Sequence, residues 1–140
     1  MNINKKQKGF TLIEVMVVVV ILGILASVVV QKVISRPDDA RLVKAKQDIL
    51  SLESALNLYR LDNQFYPTTD EGLEALVTAP ESARNWKSGG YIARLPKDPW
   101  DNPYQFLSPG ENGQIDIYSL GADRQPGGEG SKADIGNWQL

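Results

Sequence analysis

From Phe10 to Val30 the chain is an almost unbroken apolar run, and one of its few polar positions, Glu14, carries a charge. Twenty-one residues wound as a helix extend about 31 Å, enough to cross the hydrocarbon of a bilayer. Lys5, Lys6 and Lys8 stand directly before the run, and such flanking cations put the N-terminus in the cytoplasm and the remainder on the far side. The rest of the 140 residues then makes one domain of about 110 residues. A carboxylate in hydrocarbon costs roughly 2.5 to 3.5 kcal/mol on insertion scales, so Glu14 requires a partner.

Three readings compete for this segment. A secretory signal peptide has a shorter apolar region and ends at a small-x-small cleavage site; here Leu25-Ala26-Ser27 is followed by further valines. A plain anchor helix explains the length and the lysines but gives Glu14 no purpose. The third reading is a processing site in Lys8-Gly9-Phe10-Thr11-Leu12-Ile13-Glu14. This string resembles the class III leader of type IV pilins and pseudopilins. The resemblance implies that a prepilin peptidase cuts between Gly9 and Phe10 and methylates the new terminus. Cleavage would remove the leader lysines and leave an ammonium on Phe10, four residues from Glu14. Opposite charges that close in low dielectric offset much of the desolvation penalty. The amine could belong to the same chain or, as the resemblance favours, to a neighbouring subunit.

Composition removes most other functions. The chain contains neither cysteine nor histidine, which excludes disulfides, thiol chemistry, Ser-His-Asp triads and imidazole acid-base catalysis. Its net charge of -2 falls to about -5 without the three leader lysines, a balance that argues against a nucleic-acid partner and suits a secreted or periplasmic domain. A domain of this size buries only about two thirds of its unfolded surface. With no disulfide available, a metal ion is the natural staple.

Beyond the apolar run, Leu42, Ala45, Ile49, Leu52, Leu56 and Tyr59 recur at helical spacing, which predicts one helix from about Phe10 to Arg60 with an apolar stripe against its own sheet. Pro37 predicts a bend or short break near Val33 to Arg36. Leu61 to Pro67 reads as a loop, and Thr68-x-x-Glu71 as a capping box opening a short helix to about Val77, closed by Pro80. Trp86 to Pro103 is a succession of turns. Tyr104 to Leu107 and Gln114 to Ser119, on either side of the glycine-bearing turn 108–113, predict an antiparallel hairpin.

The tail from Leu120 to Trp138 is rich in glycine and holds Asp123, Glu129 and Asp134. Calcium suits such a loop, because it takes six to eight oxygens from carboxylates and from carbonyls that flexible backbone can aim inward. On composition alone a solvated loop is the alternative, and the pattern is not that of an EF-hand.

The motifs LPKDPWDNPYQF, YSLGAD and ADIGNW, downstream of GFTLIE, are together similar to the major pseudopilins of type II secretion systems, over essentially the whole chain. That resemblance implies an α+β, type IV pilin-like fold: a long N-terminal helix packed on a small antiparallel sheet, with a calcium-binding C-terminal loop. It implies a leader 1–9, a transmembrane and filament-core segment 10–30 and a periplasmic head 31–140. One structural calcium would take side-chain oxygens from Asp123 and Asp134, carbonyls from Leu120 and Gln125, and a contribution from Ser131. Gln31 stands where the family often has proline, which leaves Pro37 as the only helix breaker. The implied function is a non-enzymatic filament subunit anchored first in the bacterial inner membrane. Its implied partners are further copies of itself, minor pseudopilins, prepilin peptidase, an inner-membrane assembly platform and an outer-membrane secretin. No GxxxxGK[ST] loop is present, so a motor must act from elsewhere. Two alternatives are a type IV pilin, against which the missing C-terminal cysteines count, and a membrane-anchored periplasmic enzyme or binding domain, for which no catalytic spacing is found.

Overall fold

The structure is a computed structural model. It describes residues 9–140, and for residues 28–36, inside the first helix, the backbone alone. The leader lysines and the Gln31 side chain therefore lie outside the described residues. The chain divides into two compact units, with the boundary between Pro37 and Asp38.

Helix α1 runs from Leu12 to Asn63, close to the span that the periodicity predicts. Pro37 lies inside it, and the helix is continuous there, so the break expected near residues 33–36 does not occur. Proline removes one amide donor, and the flanking turns keep the helix. In the first unit the large apolar side chains described, from Phe10 to Leu25, are all exposed. Among the described residues no helix is long and apolar enough to cross a membrane. The end of the expected span, at Val28 to Val30, is described by its backbone only.

In the head, the predicted stripe is the buried face of α1. Ala45, Ile49, Leu52, Leu56 and Tyr59 are buried, joined by Ala55, with Leu42 partly covered. They share one core with Leu73, Leu76, Tyr104, Phe106, Ile115, Ile117 and Ile135. The sheet facing them has β1 (Gln105–Leu107), β2 (Asp116–Ser119) and β3 (Ile135–Gly136), antiparallel in the order β1-β2-β3. Phe106 lies opposite Ile117, and Ser119 opposite Ile135. Strand alternation therefore puts Phe106, Ile115, Ile117 and Ile135 on the core side. The Tyr104 hydroxyl donates to Asp48 on α1 at 2.8 Å, and burial, with this bond, raises the phenol above its ordinary pKa.

Buried carboxylates hold the irregular connections. Asp98 accepts from the amides of Trp100 (3.0 Å) and Asn102 (2.8 Å) and from the Ser119 hydroxyl (2.7 Å), tying the proline-rich segment to β2. Asp116, 2% exposed, accepts from the Glu111 amide at 2.8 Å and from the Asn112 amide and side chain, each at 3.0 Å, closing the loop between β1 and β2. A Cβ on Gly110 would stand 2.6 Å from Asp116 Oδ1, so only glycine fits that turn.

The Thr68–Glu71 capping box forms: Glu71 Oε2 accepts from the Thr68 amide at 2.9 Å, and Thr68 Oγ1 accepts from the Glu71 amide at 3.2 Å. The helix predicted behind it is instead a single 3-10 turn, Leu73–Leu76. Gly72 takes a φ of 63°, a left-handed conformation that a right-handed helix cannot continue through.

Candidate functional site

The sequence points to two places, the start of α1 and the C-terminal loop. At the first, Gly9 and Phe10 are exposed ahead of the helix, Phe10 at 88%. Thr11 is the residue before the first helical position, and its carbonyl accepts the first helical bond from the Val15 amide at 3.3 Å. Its hydroxyl accepts from the Glu14 amide at 3.3 Å. Glu14 Oε2 in turn accepts from the Thr11 amide at 3.0 Å and from the Thr11 hydroxyl at 3.2 Å. Thr11-x-x-Glu14 is thus a reciprocal capping box. An acid in the first turn also sits at the positive end of the helix dipole. The same S/T-x-x-E signature that identifies Thr68 stands at Thr11, so this capping box was legible in the sequence, which had suggested only an ion pair for Glu14. With Gly9 still joined to Phe10, the Phe10 nitrogen is a neutral amide, and Thr11 supplies the Glu14 donors.

At the C-terminal loop, two legs of chain fold against each other. The Ala122 amide donates to the Ser131 carbonyl at 2.9 Å, and the Asp134 amide to the Gly127 carbonyl at 3.2 Å. A Cβ on Gly128 would press on the Lys132 carbonyl, so the legs meet where only glycine permits. Asp123 Oδ1 accepts from the Gln125 amide at 3.1 Å, and Asp134 Oδ2 from the Gly127 amide at 2.9 Å. Asp134 Oδ1 is buried and accepts no hydrogen bond from the described residues. Leu120 and Asp134 line a cavity of about 300 Å³ that they share with Asp116, Tyr118, Pro126 and Trp138, whereas Asp123, Gln125 and Ser131 are not among its lining residues.

A buried carboxylate oxygen without a donor is a position a cation can satisfy, and the Ser131 hydroxyl, with carbonyls on both legs, offers further oxygen. The residues present therefore fit calcium in chemistry. Among the described residues no three acidic side chains converge, so most ligands would have to be carbonyls or hydroxyls.

Sequence reasoning also missed Asn137. Its Oδ1 accepts from the Ile117 amide at 3.0 Å, and its Nδ2 donates to the Ile115 carbonyl at 3.1 Å and to Glu53 at 3.2 Å. One side chain thus joins the C-terminus to β2 and to α1. Only an asparagine next to Trp138 in the ADIGNW string could have signalled it.

Comparison with known proteins agrees with this architecture. Residues 32–138 match the family model described as type II secretion system protein G, and residues 4–30 match the prokaryotic N-terminal methylation motif. The chain is 62% identical to the type II secretion system core protein G of Vibrio cholerae, over 97% of this chain and 94% of that protein. It is 57% identical to the protein of the same name from Pseudomonas aeruginosa, over 96% and 97% of the two chains. The crystal structure of the major pseudopilin from the type 2 secretion system of enterohaemorrhagic Escherichia coli superimposes with a TM-score of 0.68 at 48% identity, over 76% of this chain and 94% of that one. With the leader motif, the head and the fold all in agreement, the chain belongs to the type II secretion system protein G family, a family of structural pseudopilin subunits and not of enzymes.

Proposed function

We propose that this chain is the major structural subunit of a type II secretion pseudopilus, polymerising into a helical filament that helps drive folded proteins across the outer membrane. The observation that carries this reading is the first unit: a helix whose large apolar side chains, Leu12 to Leu25, are exposed on every face. A helix apolar all round needs an apolar environment that its own chain does not provide. Lipid supplies it first, and the helices of other copies supply it in the filament. The motif spanning residues 4–30 supports cleavage after Gly9 and methylation of Phe10 by a prepilin peptidase. The subunit would sit in the inner membrane with its N-terminus cytoplasmic and its head periplasmic. It would then pass, through an inner-membrane assembly platform, into a filament with minor pseudopilins facing the outer-membrane secretin.

Cleavage places the new ammonium one residue before the Thr11 amide that Glu14 already holds. Glu14 then has both donors and a counter-charge, from its own Phe10 or from that of the next subunit. Mass spectrometry of the protein coexpressed with a prepilin peptidase is expected to show a methylated Phe10 terminus; an intact leader would refute the processing step.

The C-terminal loop is read as a structural calcium site. A bound ion would supply positive charge between the two legs. Asp134 offers its undonated oxygen, Asp123 a second carboxylate, Leu120 and Gln125 carbonyls, and Ser131 its hydroxyl. An ion that binds the folded loop and not the unfolded chain stabilises the fold by mass action. Chelation of the purified protein is expected to lower its melting temperature, with Asp123→Ala and Asp134→Ala melting at the lower value and no longer responding to chelator. An unchanged melt would remove calcium from this account.

A further inference from the structure

Asn112 is the only asparagine of the chain that is followed by glycine; Asn57, Asn63, Asn85, Asn102 and Asn137 of the head each precede a larger side chain or proline. Asn112 and Gly113 are exposed in the loop between β1 and β2, outside any helix or strand. Among the described residues the Gly113 amide donates to no acceptor. A Cβ on Gly113 would meet nothing nearer than the Ile115 carbonyl oxygen at 3.8 Å, and its φ is not positive. Neither packing nor backbone strain therefore requires glycine at this position, in contrast to Gly110. What holds Asn112 is Asp116, whose Oδ2 accepts from the Asn112 amide and from its Nδ2, both at 3.0 Å.

We infer that Asn112-Gly113 is a self-modification site, at which deamidation of Asn112 releases the loop from Asp116. The Gly113 nitrogen gives up its proton and bonds to Cγ of Asn112, while the bond from Cγ to Nδ2 breaks and ammonia leaves with that proton. The five-membered succinimide then takes up one water and opens at either carbonyl, to aspartate or isoaspartate at position 112. The attack is intramolecular and needs no second molecule beyond that water. Glycine favours it because no Cβ shields the nitrogen and the backbone turns freely. The Nδ2 bond to Asp116 must open first, so Asp116 sets the pace of the reaction. Its product replaces that donor with a second carboxylate beside Asp116, which is 2% exposed. Two neighbouring carboxylates disfavour each other's charge, and a buried one cannot turn to water for relief. The isoaspartate form also lengthens the loop backbone by one carbon. The modified loop is thus held to Asp116 by fewer donors and opposed by a like charge.

The test ages the full-length chain, purified in detergent, at near-neutral pH and follows each asparagine by peptide mass spectrometry. Asn112 is expected to convert, to a mixture of aspartate and isoaspartate, while Asn57 and Asn85 stay intact. Gly113→Ala, which the open space at Gly113 accommodates, is expected to slow the conversion about tenfold or more and to leave the starting melting temperature unchanged. As conversion proceeds, the melting temperature of the unaltered chain is expected to fall by about 4 °C or more, and that of identically aged Gly113→Ala to hold. An Asn112 that survives as long as Asn57 and Asn85 overturns the inference, as does equal conversion in Gly113→Ala, which would exclude the Gly113 nitrogen as the attacking atom. Full conversion with an unchanged melt also overturns it, because the loop would then not depend on the bond from Asn112 to Asp116.

Discussion

Carboxylates recur in this chain at places where irregular backbone needs an acceptor. Asp98, Asp116 and Glu14 each gather amide donors that no helix or strand bond satisfies. Charge-assisted bonds of this kind are stronger than neutral ones, and a donor left without its acceptor in a buried site is penalised. Asp116→Asn exchanges one acceptor oxygen for an amino group facing the donors of Glu111 and Asn112. Its expected effect is a loss of about 1 to 3 kcal/mol in stability, read as a lower melting temperature without change in the far-ultraviolet spectrum; an unchanged melt would show that the loop between β1 and β2 does not depend on the carboxylate. At Thr11 the same logic predicts that Thr11→Val weakens the first turn by about 1 kcal/mol. Faster amide exchange at Glu14 and Val15 would register it, and undiminished protection would mean that the capping hydroxyl contributes nothing.

Between residue and fold, the Thr68–Glu71 capping box carries a dependence on pH. The Ser82 hydroxyl first, and then the Thr68 amide, hold the Glu71 carboxyl below its ordinary value. The folded chain therefore binds this proton less readily than the unfolded one. The stabilisation is complete above the ordinary carboxylate range and is lost as pH falls through the lowered value. The melting temperature of Glu71→Gln is expected to fall less steeply with acid than that of the unaltered chain; parallel curves would exclude Glu71 as a source of the acid sensitivity. This box, the α1 stripe and the hairpin were legible in the sequence because each repeats a pattern with a fixed period or spacing. What followed the box was not, since one left-handed glycine at position 72 outweighs the helix propensity of Leu73 to Leu76. Strand β3 was illegible for a related reason. Two residues have no period, and Ile135–Gly136 is held beside β2 partly by the Asn137 side chain, a long-range contact with no local trace. In the C-terminal loop the acids were visible, but that Asp134 and not Asp123 keeps a buried oxygen without a donor depends on how the two legs meet.

At the scale of the whole molecule, the two units place opposite demands on their surroundings. The head buries its apolar stripe internally, whereas the described large apolar side chains of the first unit are exposed, and on the proposed reading lipid or a polymer would cover them. Glu14 sits at the start of that dependent segment. Its capping box gives it donors in a single chain, which on the proposed reading would let a membrane hold the subunit before assembly. The box does not supply a charge, and a desolvated carboxylate with donors but no counter-charge remains above its best available state. A neighbouring Phe10 ammonium would lower it only in the one axial register that brings the two together, so the same acid would select that register during polymerisation. Glu14→Ala is therefore expected to remain membrane-inserted, because removing a charge from hydrocarbon favours the anchored state by about 2.5 to 3.5 kcal/mol, while filament yield collapses for want of a register. Glu14→Gln separates the two roles: it retains a side-chain acceptor for the Thr11 amide but has no charge for the ammonium. Should Glu14→Gln assemble as well as the unaltered chain, the capping bond alone would account for Glu14, and the charge pair would have no part in assembly.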